Sequence, residues 1–379
     1  MPGPRFSPVC RHSQSRRPPR SAQPPMVAPR PFPTGSRLEQ VCDCVGERAA
    51  VTREVGPWKS GVFAELAASG TLAGWIGEAD GGTAAPDSAI MQLLVAIASR
   101  CLTTALALTQ WASAVRILAR ADAGVRGRLL PELAAGRQFT TVGISQLTTS
   151  RQHAAAPAVT ARRGPDGWQL DGCCPWVTGA DSVETIVTGG MAEPSAGQRE
   201  PRFFVIETSE TGVTVEPPMQ LLALTGSRTT MVRLEQVRTL AEIPPAQPGS
   251  QTGGLGTTAL ALGSSRAAIG LIEREAGRRK SLGPIAAELA REAAAIESDF
   301  RQASCNGCDA AARNHLRQRA NSLVTRAAQA ALTAAKGAGF LSGHPAERLL
   351  RESMFFLVWS CPQPVTESLL CDLAGLAAD

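Results

Sequence analysis

The chain has 379 residues, 44% of them hydrophobic, and so is long enough for a large buried core or for several packed units. No apolar run approaches the roughly 20 residues of a membrane-spanning helix, and the expected location is cytoplasmic, with no membrane partner. The formal charge of +5 is local. Residues 1–36 carry Arg5, Arg11, Arg16, Arg17, Arg20 and Arg30 and no acid, which leaves the remainder near neutral and gives no basic face for nucleic acid.

That leader (1–36) is rich in Pro, Ser and Arg and too poor in apolar residues to fold. It lacks the apolar stretch of a secretory signal. A disordered leader, a start at Met26, or a transit-type segment remain open. From residue 37 to 138 the apolar spacing is helical. Val41, Val45 and Ala49 share a face, Phe63, Leu66, Leu72 and Trp75 continue the pattern, Gly81-Gly82 interrupts it, and Ile90–Arg100 and Thr104–Arg120 are long Ala/Leu helices.

The texture changes at residue 139. Short β-branched or alternating runs are predicted as strands: Phe139–Ile144, Ala158–Ala161, Trp168–Leu170, Glu184–Thr188, Phe203–Glu207, Val213–Glu216 and Met231–Leu234. Arg163-Gly-Pro-Asp-Gly167 reads as a hairpin turn. After a Pro/Gly/Gln linker at 244–254, helices are predicted over Leu255–Ser281, Ile285–Ser304, Ala311–Lys336, Ala346–Val358 and Val365–Leu376. The chain divides as leader 1–36, helical unit 37–138, β-unit 139–245 and helical unit 246–379. Cys305-Asn-Gly-Cys308, with His315 beyond it, has ligand-like spacing but no second pair, and reads as a turn between helices.

The order helices, β-unit, helices, with Leu130-Pro-Glu-Leu-Ala-Ala-Gly136, Gly172-Cys-Cys-Pro-Trp176-Val-Thr178, Arg279-Lys-Ser281-Leu-Gly283 and Gly337-Ala-Gly-Phe340 ahead of the Pro345–Arg351 helix, resembles the acyl-CoA dehydrogenase family. Leu130-Pro-Glu-Leu-Ala-Ala-Gly136 is similar to the step that enters that family's β-domain. Gly172-Cys-Cys-Pro-Trp176-Val-Thr178 is similar to its flavin-stacking strand, and Arg279-Lys-Ser281-Leu-Gly283 to its phosphate-binding turn. Gly337-Ala-Gly-Phe340, followed by Pro345-Ala-Glu-Arg-Leu-Leu-Arg351, is similar to its closing helices. The resemblance implies an α+β, mostly α fold: an N-terminal helical bundle, a small middle β-barrel or sandwich, and a C-terminal four-helix bundle.

It also implies FAD as cofactor. Ile144, Ser145 and Ser150 would line the flavin loop, and Trp176 and Thr178 the isoalloxazine. Arg279, Ser281, Lys336 and Gly337 would lie at the pyrophosphate of a neighbouring subunit, so a homodimer or homotetramer is expected. An acyl-CoA thioester and an electron-transfer flavoprotein are the implied partners. The family's catalytic Glu falls on Ser360, and the alternative family position, near Gly253, is not acidic either. Glu367 is the remaining acid with a chance of facing the pocket, and Glu352 is expected in an ion pair. Three readings follow: an acyl-CoA dehydrogenase-like oxidoreductase, a flavin-dependent monooxygenase on the same fold, or a flavin- or acyl-binding subunit without turnover.

Overall fold

The computed structural model describes residues 29–52, 58–148, 157–165, 167–193, 200–244, 254–359 and 361–375. Five helices come first: α1 (Gly35–Thr52), α2 (Val62–Ala68), α3 (Asp87–Arg100), α4 (Leu102–Leu118) and α5 (Ala123–Ala134). Helix α4 has apolar or small residues on nearly every face and is buried along most of its length, as an internal helix must be. The carboxylate of Asp122 caps α5, accepting from the amides of Gly124 and Val125 at 2.9 and 3.1 Å. Residues 29–34, counted with the leader on composition, pack against the first unit, with Phe32 edge-on to Trp75 at 6.3 Å. The rest of the leader lies outside the described residues.

The middle unit is one sheet of eight strands: β1 (Thr140–Gly143), β2 (Val159–Gly164), β3 (Gly167–Val177), β4 (Thr185–Glu193), β5 (Glu200–Glu207), β6 (Val213–Val215), β7 (Thr230–Arg238) and β8 (Ala241–Ile243). The order is β6-β7-β3-β2-β4-β5-β8, and β1 pairs in parallel with the first half of β4. A short helix, α6 (Ser145–Thr148), follows β1. The predicted hairpin closes β2 onto β3, with Gly164 opposite Gly167.

Strand β3 runs far past its expected end at Leu170. Its pairing with β7 shifts register between Leu170 and Gly172 and again between Cys174 and Val177. The second irregularity admits Pro175, which has no amide to give to a ladder. An aromatic cluster joins the first unit to the sheet: Trp58 stacks on Phe63 at 4.0 Å and meets Phe139 edge-on at 6.1 Å.

The last unit comprises α7 (Gly256–Ala276), α8 (Gly283–Asn306), α9 (Ala310–Ala335), α10 (Pro345–Ser353) and α11 (Gln363–Ala374). Helix α7 packs on α3 and α9 and so ties the two helical units together. Cys305 lies in the last turn of α8 and Cys308 just before Asp309, which caps α9 at 2.8 Å; both thiols are free. The helix expected to run from Ala346 to Val358 ends at Ser353 and tightens into a 3-10 turn over Met354–Leu357. Among the described residues, no helix is long and apolar enough to cross a membrane.

Candidate flavin site

Two strand ends meet at one edge of the sheet. The register shift of β3 between Cys174 and Val177 interrupts the alternation, so that Cys174 and Val177 are both buried while the indole of Trp176 is 48% exposed and is not a core residue. A Cβ on Gly143 would lie 3.0 Å from Val177, so the glycine lets β1 pass close to the end of β3. Thr178 is buried. Its hydroxyl is 3.0 Å from that of Thr229, which is 2.8 Å from that of Ser227, a chain of three hydroxyls.

Ile144 is buried where β1 ends, and Ser145 opens α6. Gln146 folds back under the same edge. Its Nε2 donates to the carbonyls of Gly143 (3.0 Å) and Gly189 (2.8 Å), while its Oε1 is buried without a partner. Gln146 falls within the stretch that resembles the family's flavin loop, but nothing in the sequence assigned it a role there. Cys174 sits behind it with Sγ 3.0 Å from the Thr188 hydroxyl, and burial pushes its thiol up to about 12, which keeps it protonated and inert. Ser150, also expected here, lies outside the described residues, as does Arg151.

The expected phosphate end forms on the last unit. Arg279 stands in extended backbone just after α7, before the 3-10 turn Lys280–Leu282. Its Nη2 donates to Glu275 Oε2 at 2.8 Å and to the carbonyl of Ala334. That second contact brings Arg279 to the end of α9, where Lys336 takes a left-handed φ of 54° and starts the turn through Gly337. Ser281, Lys336 and Gly337 are all exposed. Gly339 is the glycine that packing requires, since its Cβ would sit 2.7 Å from that of Ala335, whereas a Cβ on the exposed Gly337 would meet open space. Phe340 is 81% exposed beside this turn, and Leu341 and Ile285 are exposed as well.

Helix α10 leads from that turn to the family's base position. His344 caps it, Nδ1 accepting from the Ala346 amide at 3.1 Å. Arg351 pairs with Glu347 and donates from Nη1 to the Leu222 carbonyl at 2.9 Å, anchoring the helix to the β6–β7 connection. Glu352 is only 8% exposed, with Arg348 Nε 3.9 Å away. The expected ion pair is therefore long. Burial pushes this carboxyl up to about 7, against the pull of Arg348 and Arg351.

Ser360 lies outside the described residues. Its neighbours are well held: Trp359 stacks on Phe355 at 4.7 Å, and its carbonyl accepts from Arg317 Nη2 at 2.6 Å. Glu367 does not face a pocket. It is exposed on α11 and accepts from Gln363 Nε2 at 2.7 Å. The buried residue of that helix is Val365, and two residues of helical rotation carry position 367 to the far side.

A flavin dinucleotide needs a flat apolar surface for its ring, hydroxyl or amide partners at the polar edge, and cations or open amides at its phosphates. The uncovered indole of Trp176, the hydroxyl chain at Thr178 and the unmatched buried Oε1 of Gln146 meet the first two needs. Arg279, Lys336 and the open backbone at Gly337 meet the third. The residues present fit the group.

No protein-family model matches the chain. Among curated proteins, an acyl-CoA dehydrogenase of Bacillus subtilis (strain 168) is 26% identical over 255 residues. The match covers 60% of this chain and 65% of that protein, so the chain spans a little under two thirds of this relative's length. Among solved structures, butyryl-CoA dehydrogenase from Megasphaera elsdenii superposes with a TM-score of 0.75 at 15% identity, covering 90% of this chain and 99% of that one. An acyl-CoA dehydrogenase from Bacillus anthracis, complexed with FAD, gives 0.72 at 14% identity, over 90% of this chain and 69% of that one. The structural matches show that the chain has the acyl-CoA dehydrogenase fold, and the curated match shows a sequence similarity to an acyl-CoA dehydrogenase.

Proposed function

We propose that the chain is an FAD-dependent oxidoreductase of the acyl-CoA dehydrogenase type, acting on an acyl thioester. The observation that carries this reading is Trp176, a large apolar ring left uncovered beside the buried Thr178 at the sheet edge where the family's flavin strand ends. Trp176 would stack on the isoalloxazine and exclude water, and Thr178 and Ser145 would meet its polar edge, with Ile144 closing the strand end behind. Ser150 would serve the ribityl phosphate. Arg279, Ser281, Lys336 and Gly337 would hold the pyrophosphate of a neighbouring subunit's flavin, as the resemblance implies, in a homodimer or homotetramer.

When bound, the flavin supplies the hydride acceptor for a CH–CH bond. The protein's own task is then to remove a proton from Cα, and that needs a base within hydrogen-bond reach. Ser360 has no carboxylate, and a hydroxyl near its ordinary pKa is a poor substitute. Desaturation of a simple acyl-CoA should accordingly be slow. The missing acid favours the monooxygenase as second reading, because oxygen chemistry does not require that base.

Anaerobic titration of the FAD-loaded protein with acyl-CoA thioesters tests the proposal. Slow bleaching of the flavin band by at least one thioester is expected. A spectrum unchanged by every thioester, with rapid reoxidation by oxygen after chemical reduction, would transfer the assignment to the monooxygenase.

A further inference from the structure

The chain of hydroxyls at the sheet edge has a direction. Ser227, Thr229 and Thr178 are joined by two hydrogen bonds, of 2.8 and 3.0 Å, and none of the three hydroxyls has a further partner among the described residues. Three hydroxyls carry three protons and the two links use two of them, so one proton is left over. On Ser227 it would be stranded, because that residue is 0% exposed and a buried donor without an acceptor bears the full loss of its hydration. On Thr229 it would require the middle hydroxyl to accept from both sides, whereas hydrogen bonds strengthen one another when each hydroxyl both donates and accepts. The remaining arrangement runs head to tail. Ser227 donates to Thr229, Thr229 donates to Thr178, and the spare proton belongs to Thr178, which is 5% exposed and two residues from the half-exposed indole of Trp176.

The backbone is strained to hold this order. Ser227 closes a 3-10 turn (Thr225–Ser227) bracketed by Leu224 and Arg228, both at left-handed φ, 63° and 53°. Residues with a Cβ rarely adopt that conformation, and such strain persists where the surroundings over-determine it. The carbonyl of Arg228 accepts from the Gly179 amide at 3.3 Å, and its Nε donates to Asp181 Oδ2 at 2.8 Å. Thr230 pairs with Val177 in the ladder between β7 and β3. Contacts on both sides of Thr178 and Thr229 therefore fix the two hydroxyls against each other.

We propose that Thr229 and Ser227 are positioning residues that orient Thr178 as a hydrogen-bond donor toward an acceptor at the polar edge of the bound flavin. The inference rests on the proposed flavin site. A donor there favours the reduced ring, whose acceptors carry more negative charge, over the oxidised one. Ser227 and Thr229 thus raise the reduction potential of the site without touching the ring.

The test is the reduction potential of the FAD-loaded full chain, measured by equilibration with reference dyes. Thr229→Val should keep FAD but hold the reduced form about tenfold more weakly relative to the oxidised form, a fall of about 30 mV for a two-electron couple. Thr229→Ser keeps the hydroxyl and should restore the wild-type potential. Thr178→Val should lower the potential at least as far, and adding Thr229→Val to it should change nothing more, because Thr229 acts only through Thr178. If Thr229→Val does not fold, Ser227→Ala carries the test and should lower the potential by part of that amount. An unchanged potential in Thr229→Val or in Ser227→Ala, failure of Thr229→Ser to restore it, or additive falls in the double variant would overturn the proposal. A wild type that retains no FAD would instead fail the flavin assignment itself, so the two failures are distinguishable.

Discussion

Glu352 makes stability depend on pH in the direction opposite to that of most carboxylates. Its carboxyl is buried on α10. Arg348, 3.9 Å away, and Arg351 favour the charged form, while Glu347 and the Cys101 thiol at the α3–α4 junction face the same spot. Burial outweighs the two guanidinium groups and lifts the pKa from an ordinary 4.5 to about 7. Between those values the folded chain holds a proton that the unfolded chain has released. The protein is therefore spared the buried charge below pH 4.5 and bears it in full once pH passes 7. The rise from 4.5 to about 7 corresponds to about 3 kcal/mol. At about 2.1 cal/mol/K of unfolding entropy per residue, that is about 4 °C in Tm for a chain of this size. Glu352→Gln has no proton to lose, so the assay is the Tm of variant minus wild type from pH 5 to 8.5. Part of the effect is already present at pH 5, so the difference should rise by about 3 °C across that range. A flat difference, or one that falls as pH rises, would show that Glu352 is paired well enough to stay charged and would refute the reasoning.

Trp176→Ala should weaken FAD retention about tenfold by removing the ring's stacking surface, with little change in Tm, since the indole is half exposed. Arg279→Ala should weaken retention by roughly tenfold to a hundredfold through loss of charge-assisted hydrogen bonds, measured by equilibrium dialysis against FAD. Unchanged retention in both variants would place the flavin elsewhere. Ser360→Glu should restore the absent base and speed acyl-CoA-dependent dye reduction by about a hundredfold or more, the usual worth of a positioned general base; equal rates would show that proton removal does not limit turnover.

Much of the architecture was written in local pattern. Helical periodicity marked the elements that became α3, α4, α8 and α9 because each buries one stripe or is buried entirely, and the turn at 163–167 fixed the β2–β3 register. The motif around Trp176 was legible through its resemblance to the family's flavin strand, whereas its outward turn depends on the irregular pairing between Cys174 and Val177. What could not be read depends on contacts distant in sequence. Strand β3 looked short because Pro175 breaks its alternation, and only pairing with β7 across a bulge carries it onward. Gln146 bonds to Gly189, and Arg317 to the carbonyl of Trp359, and neither partner has a local signature. Glu367 illustrates the converse. Its place after the Pro362 and Pro364 breaks made it a candidate acid, and one buried neighbour, Val365, set the phase of the helix and turned it to solvent.

The central claim, that this chain holds a flavin at the Trp176 edge, is tested most directly by the visible absorption spectrum of the purified protein after incubation with FAD and desalting. The account predicts flavin bands that survive desalting, at close to one FAD per chain, and that diminish in Trp176→Ala. A folded wild-type protein that emerges colourless would contradict it.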